Sequence, residues 1–513
     1  MSYGNPHHAR PAGLLDEFRR ALETEDRLAR LADDLIGSNA EIPGPFGPKA
    51  LVYADYVASG RALWSIERFI VDRVLPFYAN SHTEASYCGG FMTGLRQAAR
   101  SVIAECCAAD ENHAVIFAGS GATAGLNRLV SLFGVNDVSG GAPPRVIVGP
   151  YEHHSNILPW RESRAEIVEI GEGETGGPDL LQLDAALQGA RDRHVICTFS
   201  AASNVTGIVS DVSGITRRVK AAGAKIVWDY AGAGPYMPIS MRPSKDAEID
   251  AVVVSPHKFI GGPGASGVLI VRKDAVVVAK PTWPGGGTVK FVSAAGHDYS
   301  DSLEAREESG TPNVLGDIRA GLVFLVKQAI GPKTMASRNA ELTARAFAAW
   351  TEFERIEILG NLSARRLPIF SIRLKDGQGG YVHHQLVTRM LSDCFGIQAR
   401  GGCACAGPYV HRLLNIDAAQ SNTIRNQIMA GNELQKPGFT RLNLSVLLPD
   451  EKVGFILESV VKLSRDAPRL SIHYTADAHR AIFSPRTTCD LVEQGPDGVL
   501  GLGTEEHAYG SCG

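Results

Sequence analysis

The 513-residue chain has only nine cysteines, too few and too scattered for a disulfide framework in a protein of this length. It has no run of about twenty apolar residues, which excludes an ordinary membrane-spanning helix. The N-terminal MSYGNPHHARPAG lacks the basic-then-apolar order of a secretion signal, so a cytoplasmic location is the default expectation. Clustered positive charge is missing too. Lys and Arg total 51 against 55 Asp and Glu, a net charge of −4, and the two signs are interspersed. This argues against a nucleic-acid partner, which would want a basic face. No Cys/His cluster has metal-ligand spacing, so the tandem His153-His154 is not expected to hold a metal. There is no GxGxxG and no Walker Gly-Lys, no internal repeat and no long low-complexity segment.

What is present is an ordinary globular composition, 44% hydrophobic, in a chain long enough for more than one domain. Residues 12–37 read as one amphipathic, charge-rich helix ending at Gly37. The Pro/Gly-rich IPGPFGPKA follows as a linker. Short apolar runs then alternate with helical stretches. AVIFA at 114–118, RVIVG at 145–149, HVICTFS at 194–200, KIVWD at 225–229, AVVVS at 251–255 and GVLIV at 267–271 are Val/Ile-rich without alternation. That is the mark of strands covered on both faces. Helical segments between them imply β-α-β units and a mainly parallel sheet. A helix is expected from about residue 315 into the 340s. LPIFSIRL at 367–374 and RLNLSVLL at 441–448 read as strands of a smaller unit, and VHHQLVTRMLSDCF at 382–395 as a helix. The expected organisation is an N-terminal helix and linker (1–48), a large domain (49–340), a smaller domain (341–485) and a polar, Gly-rich tail (486–513).

The segment richest in chemistry is Ser255-Pro256-His257-Lys258, followed by FIGGPGASGVLIV. It leaves one apolar strand and enters a glycine-rich turn, and strand ends of this kind line ligand crevices in parallel sheets. A lysine there can be a Schiff-base nucleophile; the plain alternative is a surface lysine on a turn. Asp229 ends KIVWD. It can pair with a protonated pyridine nitrogen, or merely cap a helix. Its place one β-α-β unit before Lys258 favours the joint reading, a pyridoxal phosphate (PLP) site. Upstream, Gly119-Ser120-Gly121-Ala122-Thr123 opens a helix directly after a strand, where free backbone N–H groups can hold a phosphate. His153, after the next strand, could lie on a cofactor ring and relay protons. Asn204, in SNVTG, could hydrogen-bond a ring substituent or be a turn residue. Cys403 and Cys405 stand apart from the other cysteines, in a glycine-rich loop.

Taken together these segments resemble the class V aminotransferases of PLP fold type I, and among them the SUF-type cysteine desulfurases and selenocysteine lyases. YADYVASG is similar to Y-L-D-x-A-A-S, GATAGLN to G-T-T-E-G-I-N, and EHHSNILPW to E-H-H-A-N-I-V-P-W. SNVTG is similar to S-N-x-x-G, SPHKFIGGPGASGVL to S-G-H-K-x-x-G-P-x-G-x-G-x-L, and ESGTPNVLG to E-x-G-T-P-N. The resemblance spans roughly residues 50–460. It implies a large α/β domain with a mainly parallel seven-stranded sheet and a smaller α+β C-terminal domain. It makes Lys258 the Schiff-base lysine and Asp229 the partner of the pyridine nitrogen. His153 stacks on the ring and Asn204 contacts the ring oxygen. Ala122, Thr123, Ser255 and His257 hold the phosphate, and Thr311 reaches the phosphate of a neighbouring subunit, implying a homodimer. Arg441 matches the clamp on the substrate carboxylate, a role suited to a planar bidentate donor. Arg400 and His82 are further substrate-side candidates. RGGCACAGP is similar to R-x-G-x-x-C-A-x-P, which puts Cys405 at the sulfur-accepting position. A thiolate on such a loop can take sulfur from a substrate and pass it to an acceptor protein.

Three features depart from the desulfurase pattern. Gly232 stands three residues after Asp229, where those enzymes carry Gln. The segment between the cysteine loop and Arg441 is longer, and the two chain ends have no counterpart. The expectation is a PLP enzyme acting on an amino acid, a desulfurase-like sulfurtransferase by its cysteine loop. The alternatives are an epimerase, lyase or aminotransferase on another amino acid, and a non-catalytic binding protein on the same scaffold. The joint presence of Lys258, Asp229 and Arg441 speaks against the last.

Overall fold

A computed structural model of the chain describes residues 11–81, 84–137, 141–190 and 193–486. His82 and residues 487–513, which include nearly all of the expected tail, lie outside the described residues.

Seven strands make the main sheet: β1 (His113–Gly119), β2 (Arg145–Val148), β3 (Glu166–Glu169), β4 (Val195–Ser200), β5 (Lys225–Asp229), β6 (Ala251–Val254) and β7 (Gly267–Arg272). Their order is β1-β7-β6-β5-β4-β2-β3. β7 runs antiparallel to both neighbours, and every other pairing is parallel. Every residue of β4 and β6 is buried, as expected for strands roofed on both faces by helices. β3 is the one strand the apolar runs did not announce. It is an edge strand whose four residues are half-buried or exposed, so its sequence, EIVE, carries no continuous apolar run.

A second sheet holds β8 (Ile356–Ile358), β9 (Ile369–Leu374), β10 (Arg400–Gly402) and β11 (Phe439–Asn443) in the antiparallel order β8-β9-β11-β10. It has its own core around Trp350, Phe370, Leu391 and Val460. No helix among the described residues is long and apolar enough to cross a membrane.

Three sequence expectations are corrected. The single helix over 12–37 is two, Pro11–Leu22 and Arg27–Asp33. Leu22 and Leu31 are both buried, yet nine residues at about 100° each would place them on opposite sides of one continuous helix. The polar ETED between them turns the chain. The helix from 315 into the 340s is likewise two, Val314–Ile330 and Pro332–Trp350. Gly331 takes φ +84°, and Pro332 can start a helix but cannot continue one. The strand expected over 441–448 ends at Asn443, because the Ser445 hydroxyl accepts the Leu447 N–H and folds the chain into a turn.

Candidate active site

The carboxyl ends of β1, β4, β5 and β6 open on one side of the sheet, and a cavity of about 320 Å³ lies over them. It gathers Ala122, Thr123, His153, Asn204, Asp229, Ser255, His257, Lys258, Arg400, Cys405 and Arg441, which is where parallel sheets place ligands. Of the described candidates only Thr311 stays outside. It is exposed, one residue after Gly310, whose N–H donates to Gly286 O at 2.8 Å.

The floor is built by register. Ser200 and Asp229 are paired across β4 and β5, and Asp229 and Val253 across β5 and β6. Lys258 follows on a short turn, Pro256–Lys258. That turn is pinned from above by Gly60, whose N–H donates to His257 O at 3.0 Å. A Cβ at Gly60 would come within 1.7 Å of Phe259 O, so only glycine allows this approach. Burial lowers the Lys258 amine to about 8, with the Asp229 carboxylate pulling the other way and Arg441 and Arg400 adding to the fall. Burial raises Asp229, opposed by the Ala231 N–H that its Oδ1 accepts at 2.7 Å and by Lys258.

Around the first turn of the helix Ala122–Leu132 the packing is close. The Ser255 hydroxyl accepts the Ala122 N–H at 3.0 Å, and Thr123 and Ser155 share a hydroxyl hydrogen bond of 2.7 Å. A Cβ on Gly121 would reach 2.9 Å from both Ser255 Oγ and His257 Cε1. This cradle of N–H and hydroxyl groups at a helix start suits a phosphate. His153 is pushed down to about 4 by burial and by the Lys258 charge, so it is neutral near pH 7. Its Nδ1 accepts the Ser155 N–H at 3.1 Å, which leaves the ring proton on Nε2. A buried carboxylate beside a half-buried lysine, a neutral imidazole and a hydroxyl-lined helix start match what a PLP ring and phosphate need, and the site fits that cofactor.

The rim comes from the second sheet and its loops. Ala404 and Cys405 have φ of +49° and +53°, an uncommon conformation that the surroundings must hold. The Asn204 amide donates to Ala404 O at 2.8 Å, and the His154 N–H donates to Cys405 O at 2.8 Å. His154 Nε2 accepts the Gly407 N–H at 3.1 Å. Cys405 is exposed and Cys403 half-buried. Arg441 is buried, donating to Asp55 Oδ1 at 3.0 Å and Asn204 O at 3.1 Å. Arg400 Nε donates to Asp55 Oδ2 at 2.9 Å. Gly232 lines the cavity beside Asn204.

Three residues here were not singled out from sequence. Asp55 sits inside the quoted YADYVASG, but only the pairing of distant segments shows that it joins two arginines. His154, read only as the second of a pair, ties down the cysteine loop. Glu152 is fully enclosed. It accepts the Ser200 N–H and hydroxyl, both at 2.9 Å, and an N–H of Asn156. Burial raises it to about 8, against those hydrogen bonds.

Comparison with known proteins agrees with this geometry. The class-V aminotransferase family pattern matches residues 52–435. A cysteine desulfurase of Pectobacterium atrosepticum is 29% identical over 368 residues, 70% of this chain and 84% of that protein. A probable cysteine desulfurase 2 of Mycobacterium leprae is 30% identical over 308 residues, 58% of this chain and 69% of that one. Among solved structures, a cysteine desulfurase from Thermococcus onnurineus superposes with a TM-score of 0.66 at 22% identity, covering 81% of this chain and 95% of that one. The cysteine desulfurase CsdA of Escherichia coli gives 0.65 at 18%, covering 85% and 98%. The chain has the fold of these enzymes and is itself an enzyme of the PLP-dependent class V aminotransferase family.

Proposed function

We propose that this enzyme removes sulfur from L-cysteine, leaving L-alanine and a persulfide on Cys405. The observation that carries the reading is that Cys405 lines the same cavity as Lys258, Asp229 and Arg441. The relatives named as cysteine desulfurases support it. PLP, held at Lys258 and Asp229, supplies an electron sink for bonds at the substrate Cα. The other steps belong to the chain. Arg441, with Arg400 beside it, holds the α-carboxylate. Lys258, once free, takes the Cα proton and returns it. The Cys405 thiolate attacks the substrate sulfur, the Cβ–S bond breaks with its electron pair staying on carbon, and protonation there completes alanine.

The working unit in this reading is a homodimer that passes sulfur to an acceptor protein. Trp283, Phe291 and Val292 are exposed on the segment whose Gly286 bonds Gly310, next to Thr311. Covering these side chains would give a second subunit apolar area to bury. Sedimentation of an active monomer would contradict the dimer.

A second reading keeps the cofactor and changes the reaction to epimerisation, elimination or transamination. Gly232 favours it, since it brings no side-chain donor to the cavity although an added Cβ would meet its neighbours at ordinary contact distances of 3.5 Å. The deciding experiment incubates the PLP-loaded enzyme with L-cysteine and a panel of amino acids and analyses every product. Alanine with a one-sulfur mass gain on the Cys405 peptide is expected, and in the presence of dithiothreitol, which reduces the persulfide and is itself oxidised to its disulfide, sulfide in an amount equal to the alanine. D-amino acid, pyruvate or 2-oxo acid products without that gain would replace the desulfurase reading.

A further inference from the structure

We infer that Asp55 sets the charge of the carboxylate subsite and so restricts the enzyme to amino acids with a single carboxylate. This rests on the reading that Arg441 and Arg400 receive the substrate carboxylate.

Arg400 and Arg441 are direct partners across β10 and β11. Two like charges in that relation repel. Asp55 is placed between them and is itself only 8% exposed. Its Oδ1 accepts a hydrogen bond from Arg441 Nη2 and its Oδ2 one from Arg400 Nε. The backbone that carries the carboxylate is held: Tyr53 Oη donates to the Asp55 main-chain O at 3.2 Å, and the Asn443 N–H donates to Ala54 O at 2.9 Å. Asp55 does not line the cavity, so it acts through the arginines.

The charge balance gives the specificity. Two guanidinium groups and one carboxylate leave one unit of positive charge at the subsite. A single substrate carboxylate neutralises it. A second would leave a net negative charge beside Arg441, which is only 4% exposed, where poor screening makes the excess costly. The Arg400 side chain is 53% exposed, and with Nε engaged its orientation is set by Asp55. Removing the Asp55 charge would release Arg400 for a second anionic group.

The test uses PLP-loaded enzyme and two probes differing by one carboxylate, L-alanine and L-aspartate, with affinities from calorimetry and from the cofactor absorbance. Neither probe carries sulfur, so the outcome is independent of sulfide release. Wild type should prefer alanine. Asp55→Asn should move the aspartate-to-alanine affinity ratio at least about tenfold toward aspartate. Asp55→Glu should retain the wild-type ratio, and Asp55→Asn with Arg400→Ala should restore it. Should Asp55→Asn not fold, Arg400→Ala alone should move the ratio further against aspartate. Equal loss of both probes, or an unchanged ratio, would overturn the inference. Wild type that binds neither probe would overturn the amino-acid reading beneath it.

Discussion

The floor and the rim of the cavity are held by different means. In the floor, the backbones of Ser200 and Asp229 are set by the ladders of buried parallel strands, and Lys258 follows on the short turn that leaves β6. At the rim, Cys405 sits on a glycine-rich loop with two left-handed residues and Arg400 opens the edge strand β10, and the two are held by a few hydrogen bonds from His154, Asn204 and Asp55. Ladders resist displacement and loops permit it. The floor therefore suits cofactor chemistry shared by a whole family, and the rim suits the choice of substrate and the movement that sulfur transfer requires.

The sharpest way to break this division is to remove each region's reactive atom. Lys258→Ala should abolish the visible absorbance of lysine-bound cofactor and all turnover. Absorbance retained in that variant would mean another amine holds the cofactor. Cys405→Ser should stop sulfide release while leaving the absorbance and amino-acid binding intact. A floor spectrum altered by that change would show that the two regions are not independent. Cys403→Ser should have a smaller effect, because Cys403 packs against the apolar cluster around Tyr409 and Phe439 and not on the cavity. Peptide mapping after L-cysteine treatment checks which thiol carries sulfur.

The same division explains what could be read from the sequence. Floor residues announce themselves locally: a Val/Ile strand ending in Asp, and a lysine between a strand and a glycine turn. Six of the seven strands are legible in this way, and Lys258, Asp229 and His153, which the same local patterns mark as candidates, meet at one cavity. The rim depends on which distant segments meet. Asp55 reaches residues 345 and 386 positions away, and nothing in the local pattern of YADYVASG sets that partnership. The helix breaks at 23–26 and 331 do not show in the sequence pattern for a related reason. Periodicity over a long window hides a change of phase, and the buried faces of Leu22 and Leu31 become distinct only once there is a core to face.

A milder change tests the floor's electrostatics. Lys258 is a nucleophile only when neutral, so cofactor loading of the apoenzyme should speed up as pH rises through about 8. The Asp229 charge raises the Lys258 value. Asp229→Asn should therefore shift the loading profile to lower pH while weakening retention of the cofactor. Stopped-flow loading across pH 6–10 (a range of about two units either side of the Lys258 value) checks the direction. A shift to higher pH would contradict the account in which the Asp229 charge raises the Lys258 value.

The smallest effect is expected one layer below, at Glu152. Its folded value of about 8 lies above the ordinary 4.5, so the folded protein prefers the protonated carboxyl. The stability this preference confers is fully present below about pH 4.5 and is lost as pH rises through about 8. Glu152→Gln mimics the neutral acid at every pH. Wild type should lose more of its thermal midpoint between pH 5 and pH 8 than Glu152→Gln does, as measured by calorimetry. Glu152→Ala removes the acceptor of the Ser200 and Asn156 N–H groups and should cost about 1–3 kcal/mol even at pH 5. Parallel pH slopes for wild type and Glu152→Gln would mean that Glu152 is ionised in the fold, held by those donors and the Ser200 hydroxyl, and that the floor carries a second buried negative charge beside Asp229.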